Sequence, residues 1–136
     1  MSQIIINTDG GARGNPGKAG AGVVIQKDGT VIAKIKKYLG DNRTNNWAEY
    51  EALIIALTEA KKHGLSGKKI EIRMDSELIV RQMQGEYQVK EETLWPQYMK
   101  VHNLIISSFP EASFVHVPRA ENSAADKLVN EVLDEA

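Results

Sequence analysis

The alternation of apolar and polar residues divides the first part of the chain into short strands. Residues 3–8 are apolar and β-branched, which predicts a buried strand, and the glycine-rich residues 9–17 predict a loop after it. Residues 21–26 and 30–38 predict two further strands joined by a tight Asp-Gly turn. Apolar residues alternate with lysines in the third strand, so we expect one of its faces to contact solvent.

The pattern then changes to helical spacing. Residues 45–63 carry apolar side chains at steps of three and four, which predicts an amphipathic helix. Further elements are predicted as a strand at 69–74, a short helix at 77–84, a helix at 95–107, a strand at 113–117 and a helix from 122 onwards. The order βββαβααβα predicts an α/β fold in which helices flank a five-stranded mixed sheet. We expect residues 1–136 to form a single domain.

Composition narrows the classes of protein that fit this pattern. The chain has 136 residues, of which 42% are hydrophobic and 26% charged, as in ordinary globular proteins. It contains no cysteine, which excludes disulfides, zinc–thiolate sites and thiol nucleophiles and favours a reducing compartment such as the cytoplasm. Its apolar runs are far shorter than the ~20 residues of a membrane span, so we expect no membrane association.

Charge is unevenly distributed along the chain. The net charge is −1, but residues 1–47 carry seven basic and three acidic side chains, whereas residues 111–136 carry two and six. A basic front part can present a positive surface to a polyanion. Solvated faces of unrelated elements explain the same asymmetry equally well, so charge alone does not decide between them.

Four carboxylates stand at positions where surface charge alone does not explain them. Asp9 and Asp75 come directly after predicted strands, and ligands of open α/β sheets gather outside the carboxyl ends of strands. Glu49 shares the apolar stripe of its helix, and Asp126 lies at the start of the last helix. Taken singly, each acid could cap a turn or a helix or pair with a lysine.

Clustering of these acids would need a compensating cation. Two carboxylates ~4 Å apart repel by ~4 kcal/mol at an effective dielectric constant of ~20. Protons or a metal must offset this repulsion, and oxygen ligands select hard cations such as Mg²⁺ or Mn²⁺. Two such ions about 3.5–4 Å apart form a clamp for phosphoryl displacement.

Four segments of the chain, taken in order, resemble type 1 ribonuclease H. They are residues 8–17 (TDGGARGNPG), 44–49 (TNNWAE), 75–76 (DS) and 125–126 (AD) before an amphipathic helix. The resemblance covers essentially the whole chain and implies the ribonuclease H-like fold. It implies that the catalytic, metal-binding carboxylates are Asp9, Glu49, Asp75 and Asp126.

The implied reaction is hydrolysis of the RNA strand of an RNA–DNA hybrid. Two Mg²⁺ ions per site, or Mn²⁺, would activate the attacking water and stabilise the leaving 3′ oxygen. The products would carry 5′-phosphate and 3′-hydroxyl ends. The expected partner is the hybrid duplex, and we expect a monomer because no apolar stripe is left unassigned.

Recognition of RNA requires contacts to its 2′-hydroxyls in a wide, shallow minor groove. Glycines permit a close approach of the backbone, and asparagines offer both donors and acceptors. By the resemblance, the asparagines contact the groove and the threonine helps to hold a DNA-strand phosphate. The expected substrate-binding residues are Gly10, Gly11, Asn15, Thr44, Asn45 and Asn46. A cap at the start of the helix is the alternative role for the asparagine pair.

The chain also departs from the family pattern. Glu77 stands where many relatives carry a glutamine, and a carboxylate cannot donate to a 2′-hydroxyl. Residues 118–123 hold no histidine of the kind that aids product release, so Glu121 or Asn122 could act near the metals, and His116 is interpreted as structural. The basic protrusion of some bacterial members is missing. Hybrid affinity would then rest on Arg13, Lys34, Lys36, Lys37 and Arg43.

Two other functions remain open at this point. A binding module could use the same groove without cleavage, although the presence of all four carboxylates disfavours it. A related nuclease could act on DNA or on double-stranded RNA.

Overall fold

Five strands form a sheet and four helices cover it in the computed structural model, which describes residues 2–136. The strands are β1 (Ile4–Arg13), β2 (Gly17–Lys27), β3 (Thr30–Arg43), β4 (Ile70–Met74) and β5 (Ser113–His116). The helices are α1 (Asn45–Lys62), α2 (Glu77–Met83), α3 (Trp95–Ser108) and α4 (Ser123–Glu135). Short 3₁₀ turns at Glu92–Leu94 and Arg119–Asn122 precede α3 and α4.

The sheet is mixed, and its strand order is β3-β2-β1-β4-β5. The β1–β2 and β2–β3 pairs are antiparallel, and the β1–β4 and β4–β5 pairs are parallel. This arrangement confirms the predicted α/β class, the five-stranded mixed sheet and the element order βββαβααβα. No helix among residues 2–136 is both long and apolar enough to cross a membrane.

The first hairpin is longer than predicted. We expected β1 to end at Thr8 and a loop to follow, but β1 continues to Arg13 and pairs with β2 along its whole length. Gly10 and Gly11 pair with Ala21 and with a β2 glycine, so the glycine-rich segment is mostly strand. The glycines on both strands also let helices pack closely against the hairpin. Similarly, β3 continues to residue 43 instead of 38, because it pairs with the start of β2 through irregular register shifts.

Helices α1 and α4 lie on opposite faces of the sheet. A Cβ on Gly10 would meet Ala48 of α1, whereas a Cβ on the next residue, Gly11, would face Val129 of α4. The larger hydrophobic core lies between the sheet and α1, and a smaller cluster of α4 residues covers the other face. The predicted bounds of α1 agree with the structure within one residue.

Candidate active site

Three carboxylates from three elements meet at one edge of the sheet. Asp9 lies within β1, Glu49 on the second turn of α1 and Asp75 directly after β4, and one oxygen of each lies within 4.8 Å of the others. The parallel register pairs Asn7 with Arg73, two residues before Asp9 and Asp75, which aligns these acids side by side. The adjacency agrees with the prediction, although Asp9 is inside its strand and not at the end.

Gly10 allows α1 to bring Glu49 to this edge. An ideal Cβ on Gly10 would lie 2.3 Å from the carbonyl carbon and oxygen of Ala48. Any side chain would therefore push the helix away from β1. The close approach that the glycine permits is made to α1, and Gly10 itself is buried.

Burial and mutual repulsion disfavour the charged forms of two of these acids. The pKa of Asp9 rises from its ordinary value of 3.8 to about 8, chiefly because the group is buried and also because of the negative charges of Asp75 and Asp126. Burial also raises the pKa of Glu49 well above its usual range, with Asp9 and Asp75 adding to the effect. One carboxylate oxygen of Glu49, Oε2, is buried and has no hydrogen-bond partner.

These observations fit a divalent cation. Carboxylate oxygens are the ligands that hard cations prefer, and a cation would lower the free energy of the crowded, charged acids. The partnerless Glu49 Oε2 is an acceptor that a cation could satisfy. The three clustered residues are therefore able to bind a metal ion.

The fourth predicted acid, Asp126, lies outside this group of three. It lines the same cavity of about 300 Å³, together with Asp9, Glu49 and Asp75. Its Oδ1 accepts a hydrogen bond from Nη2 of Arg119 at 3.2 Å, and the two form an ion pair. The structure therefore brings Asp126 to the cavity but gives it a cationic partner.

Arg119 is a residue of the cavity that the sequence analysis missed. We expected Glu121 or Asn122 to act near the metals in place of a loop histidine. However, Glu121 is exposed and does not line the cavity, and Asn122 is buried and forms hydrogen bonds with β1. His116 lies 3.9 Å from a Glu77 oxygen and does not line this cavity. The signal was available, because Arg119 is the only basic side chain between β5 and Asp126.

The predicted substrate-binding residues do not all line the same cavity. Gly10, Gly11 and Asn45 line the acidic cavity, whereas Asn46 lines a neighbouring cavity. Asn45 Oδ1 accepts from the backbone N–H of residue 12 at 2.8 Å, and Asn15 Oδ1 accepts from Asn45 N at 3.0 Å. These contacts fix both asparagines through their oxygens, so each Nδ2 remains available as a donor.

Thr44, and not the asparagine pair, caps α1. Its Oγ1 accepts a hydrogen bond from Trp47 N at 3.2 Å. Beside it, the guanidinium of Arg43 lies over the Trp47 ring at 4.1 Å from the centroid. This cation–π contact holds a positive charge at the start of α1.

Two of the five cations expected to bind the hybrid are paired with α4. Arg13 lies 2.6 Å from an oxygen of Asp134, and Lys36 contacts Glu131 and Glu135. The basic edge of the sheet is thus partly neutralised by the acidic end of the chain. Part of the charge asymmetry along the sequence is therefore satisfied by contacts within the chain.

Comparison with known proteins identifies the family. The family model described as reverse transcriptase-like matches residues 7–132. The chain is 41% identical to the bifunctional protein Rv2228c of Mycobacterium tuberculosis, covering 98% of this chain and 36% of the relative, and thus spans about a third of that protein. It is also 41% identical to ribonuclease HI of Halobacterium salinarum, covering 94% of this chain and 63% of the relative.

Solved structures agree with this assignment. LC11-RNase H1, isolated from compost, superposes with a TM-score of 0.94 at 52% identity, covering 99% of this chain and 98% of the other. A second structure of LC11-RNase H1 is a complex with an RNA/DNA hybrid and has a TM-score of 0.93 at 51% identity, covering 98% of each chain. With an acidic cavity, a matching fold and relatives of this similarity, the chain belongs to the type 1 ribonuclease H family.

Proposed function

We propose that this protein is a metal-dependent endonuclease that hydrolyses the RNA strand of RNA–DNA hybrids and leaves 5′-phosphate and 3′-hydroxyl ends. The observation that carries the proposal is the group of three carboxylates within 4.8 Å, two of them buried. A protein gains nothing in stability from such crowding, since both burial and repulsion oppose ionisation. The family assignment and the hybrid complex of LC11-RNase H1 support the choice of substrate.

Asp9, Glu49 and Asp75 would hold the metal, and Asp126 would complete the set from α4. Mg²⁺, with two ions per site and Mn²⁺ as a substitute, would supply charge that activates water and stabilises the leaving oxygen. The residues of the chain exclude bulk water from the buried side and hold the oxygens at one edge of the sheet. Arg119 brings a cation to the rim, where a phosphate of the substrate would be attracted.

The substrate contacts follow from the same cavity. Gly11 and Asn45 line it, and the free Nδ2 groups of Asn15 and Asn45 can donate to groove acceptors such as a 2′-hydroxyl oxygen. Glu77 lies 3.4 Å from Nε of Arg81, which offsets its negative charge. Thr44, which is held in place as the cap of α1, would help to bind a phosphate of the DNA strand.

We also propose that residues 1–136 act as one catalytic domain and work as a monomer. The lack of cysteine supports a reducing compartment such as the cytoplasm.

The test compares end-labelled RNA–DNA hybrid, DNA duplex and RNA duplex of one sequence in Mg²⁺ and in Mn²⁺. We expect cleavage of the RNA strand of the hybrid alone, with products that a 3′-hydroxyl-dependent polymerase extends. Glu49→Gln should abolish cleavage, and Glu111→Gln, at an exposed acid, is the matched control. Binding of the hybrid without cleavage would support a binding module instead, and cleavage of the RNA duplex would widen the substrate class.

A further inference from the structure

The start of α4 is attached to β1 by a buried carboxamide. Asn122, which ends the 3₁₀ turn, has 1% of its surface exposed. Its Nδ2 donates to the Thr8 carbonyl oxygen at 2.9 Å, and its Oδ1 accepts from Asn7 Nδ2 at 3.1 Å. These bonds join segments 114 and 115 residues apart in the sequence.

The Asn122 hydrogen bonds connect β1, which carries Asp9, to the segment that carries Arg119 and Asp126. On β1, the carbonyl that Asn122 binds belongs to the residue directly before Asp9. On the other side, Asn122 follows Arg119 by three residues and precedes Asp126 by four. The ion pair of Arg119 with Asp126 spans this same turn. The carboxamide therefore ties both side chains to the backbone that carries Asp9.

Contact with β2 fixes the same end of the helix from another direction. A Cβ on Gly22 would lie 2.3 Å from the carbonyl oxygen of Ala125, the residue before Asp126. The helix start therefore has no room to move toward the sheet, and the Asn122 bonds oppose movement away from it. Neither constraint acts on Glu49 or Asp75, which belong to other elements.

We propose that Asn122 is a positioning residue for hybrid cleavage, which sets Arg119 and Asp126 at a defined distance from Asp9. The inference rests on the proposed function. Asparagine is suited to this role because its side chain donates and accepts at once. Alanine would remove both the bond to the Thr8 carbonyl and the bond from the Asn7 amide, and aspartate would turn a carboxylate toward the Thr8 carbonyl.

The activity test is a double-mutant cycle with Asp126→Asn, measured as kcat and KM for hybrid cleavage in Mn²⁺. Asn122→Ala should lower kcat by about 10- to 100-fold with little change in KM, as loss of an outer-shell partner does. In the Asp126→Asn background, the same change should have less than about a twofold effect, because the coupled group is already removed. An equal loss in both backgrounds would overturn the proposal.

A matched control separates positioning from stability. Gln82 is also a buried carboxamide, which accepts from the Tyr50 hydroxyl at 2.6 Å and lies apart from the acidic cavity. Gln82→Ala should lower the free energy of unfolding as Asn122→Ala does, but leave kcat unchanged. Equal loss of kcat in the two variants, at a temperature where both are folded, would contradict the role of Asn122. Asn122→Asp is the second variant should the alanine variant not fold.

A readout without activity keeps the outcomes distinct. In NMR spectra of metal-free ¹⁵N-labelled protein, the side-chain N–H signal of Arg119 should differ from those of solvent-exposed arginines. In Asn122→Ala, as in Asp126→Asn, this difference in chemical shift should disappear. An unchanged signal would refute the positioning. Failure of the wild-type protein to cleave any hybrid would refute the proposed function instead, and the Arg119 signal would still report on the geometry.

Discussion

Replacement of Asp9 by asparagine tests the electrostatic reasoning most directly, because it removes one charge from the cluster and keeps the shape of the side chain. The native pKa of Asp9 is about 8, compared with 3.8 for an ordinary aspartate. At a pH between these two pKa values, the native protein therefore binds more protons than the unfolded chain does. Without metal, the free energy of unfolding must fall as the pH rises from about 4 to about 8.

The magnitude follows from the size of the shift. A difference of about four pH units corresponds to ~5–6 kcal/mol, at about 1.4 kcal/mol per unit. Water penetration and relaxation of Asp75 and Asp126 reduce this figure, so we expect Asp9→Asn to stabilise the metal-free protein by about 2–4 kcal/mol at pH 8–9. The gain should be small near pH 4, where the native carboxyl is protonated and the unfolded one is only partly ionised.

Urea unfolding in EDTA between pH 4 and 9 measures this gain at each pH. Glu111→Gln, at an exposed position, serves as the control and should change nothing. Added Mg²⁺ should raise the melting temperature of the wild-type protein and not of Asp9→Asn, because the ion binds only the native carboxylate cluster. A gain that does not depend on pH, or a loss of stability at pH 8, would refute the reasoning.

Three further predictions concern other parts of the site. Gly10→Ala should lower the free energy of unfolding by about 1–3 kcal/mol and reduce cleavage, because the new Cβ would lie 2.3 Å from the Ala48 backbone. Denaturant unfolding measures the stability and a hybrid assay measures the cleavage, and full activity would contradict the packing argument. Glu49→Gln should bind hybrid but not cleave it, and should weaken Mn²⁺ binding in calorimetry; unchanged metal affinity would exclude it as a ligand. Arg43→Ala should weaken hybrid binding and reduce its salt dependence by about one charge in anisotropy titrations, whereas Trp47→Phe, which keeps an aromatic ring under the guanidinium, should preserve binding.

Local sequence determined the helices and their caps. The apolar spacing of α1 and the serine before α2 depend on residues within a few positions of one another, and Ser76 indeed accepts a hydrogen bond from Ile79 N. The four acidic segments and their order were likewise legible in the sequence and were enough to predict the family. The sequence predicted adjacency of Asp9 and Asp75 only on the condition that β1 and β4 are parallel neighbours, and the sheet meets this condition.

The ends of the strands could not be predicted in the same way. A segment with glycines at 10, 11, 14 and 17 has the composition of a loop, yet most of it pairs as β1. Strand formation there depends on β2 and on the close approach of α1 at Gly10, and neither is visible from neighbouring residues. The composition of a segment indicates its flexibility when it stands alone, but its pairing as a strand depends on the residues that pack against it.

The sequence by itself determined the class of fold and the family and singled out the four acids as candidates, because these depend on periodicity and on short segments in order. Only the tertiary structure decided that Arg119 faces Asp126, that Asn122 is buried against Thr8 and that Glu49 lacks a hydrogen-bond partner. Such contacts join residues far apart in the chain. The free energies of these contacts arise from burial and charge in the folded state. They therefore cannot be predicted from the order of residues within one segment.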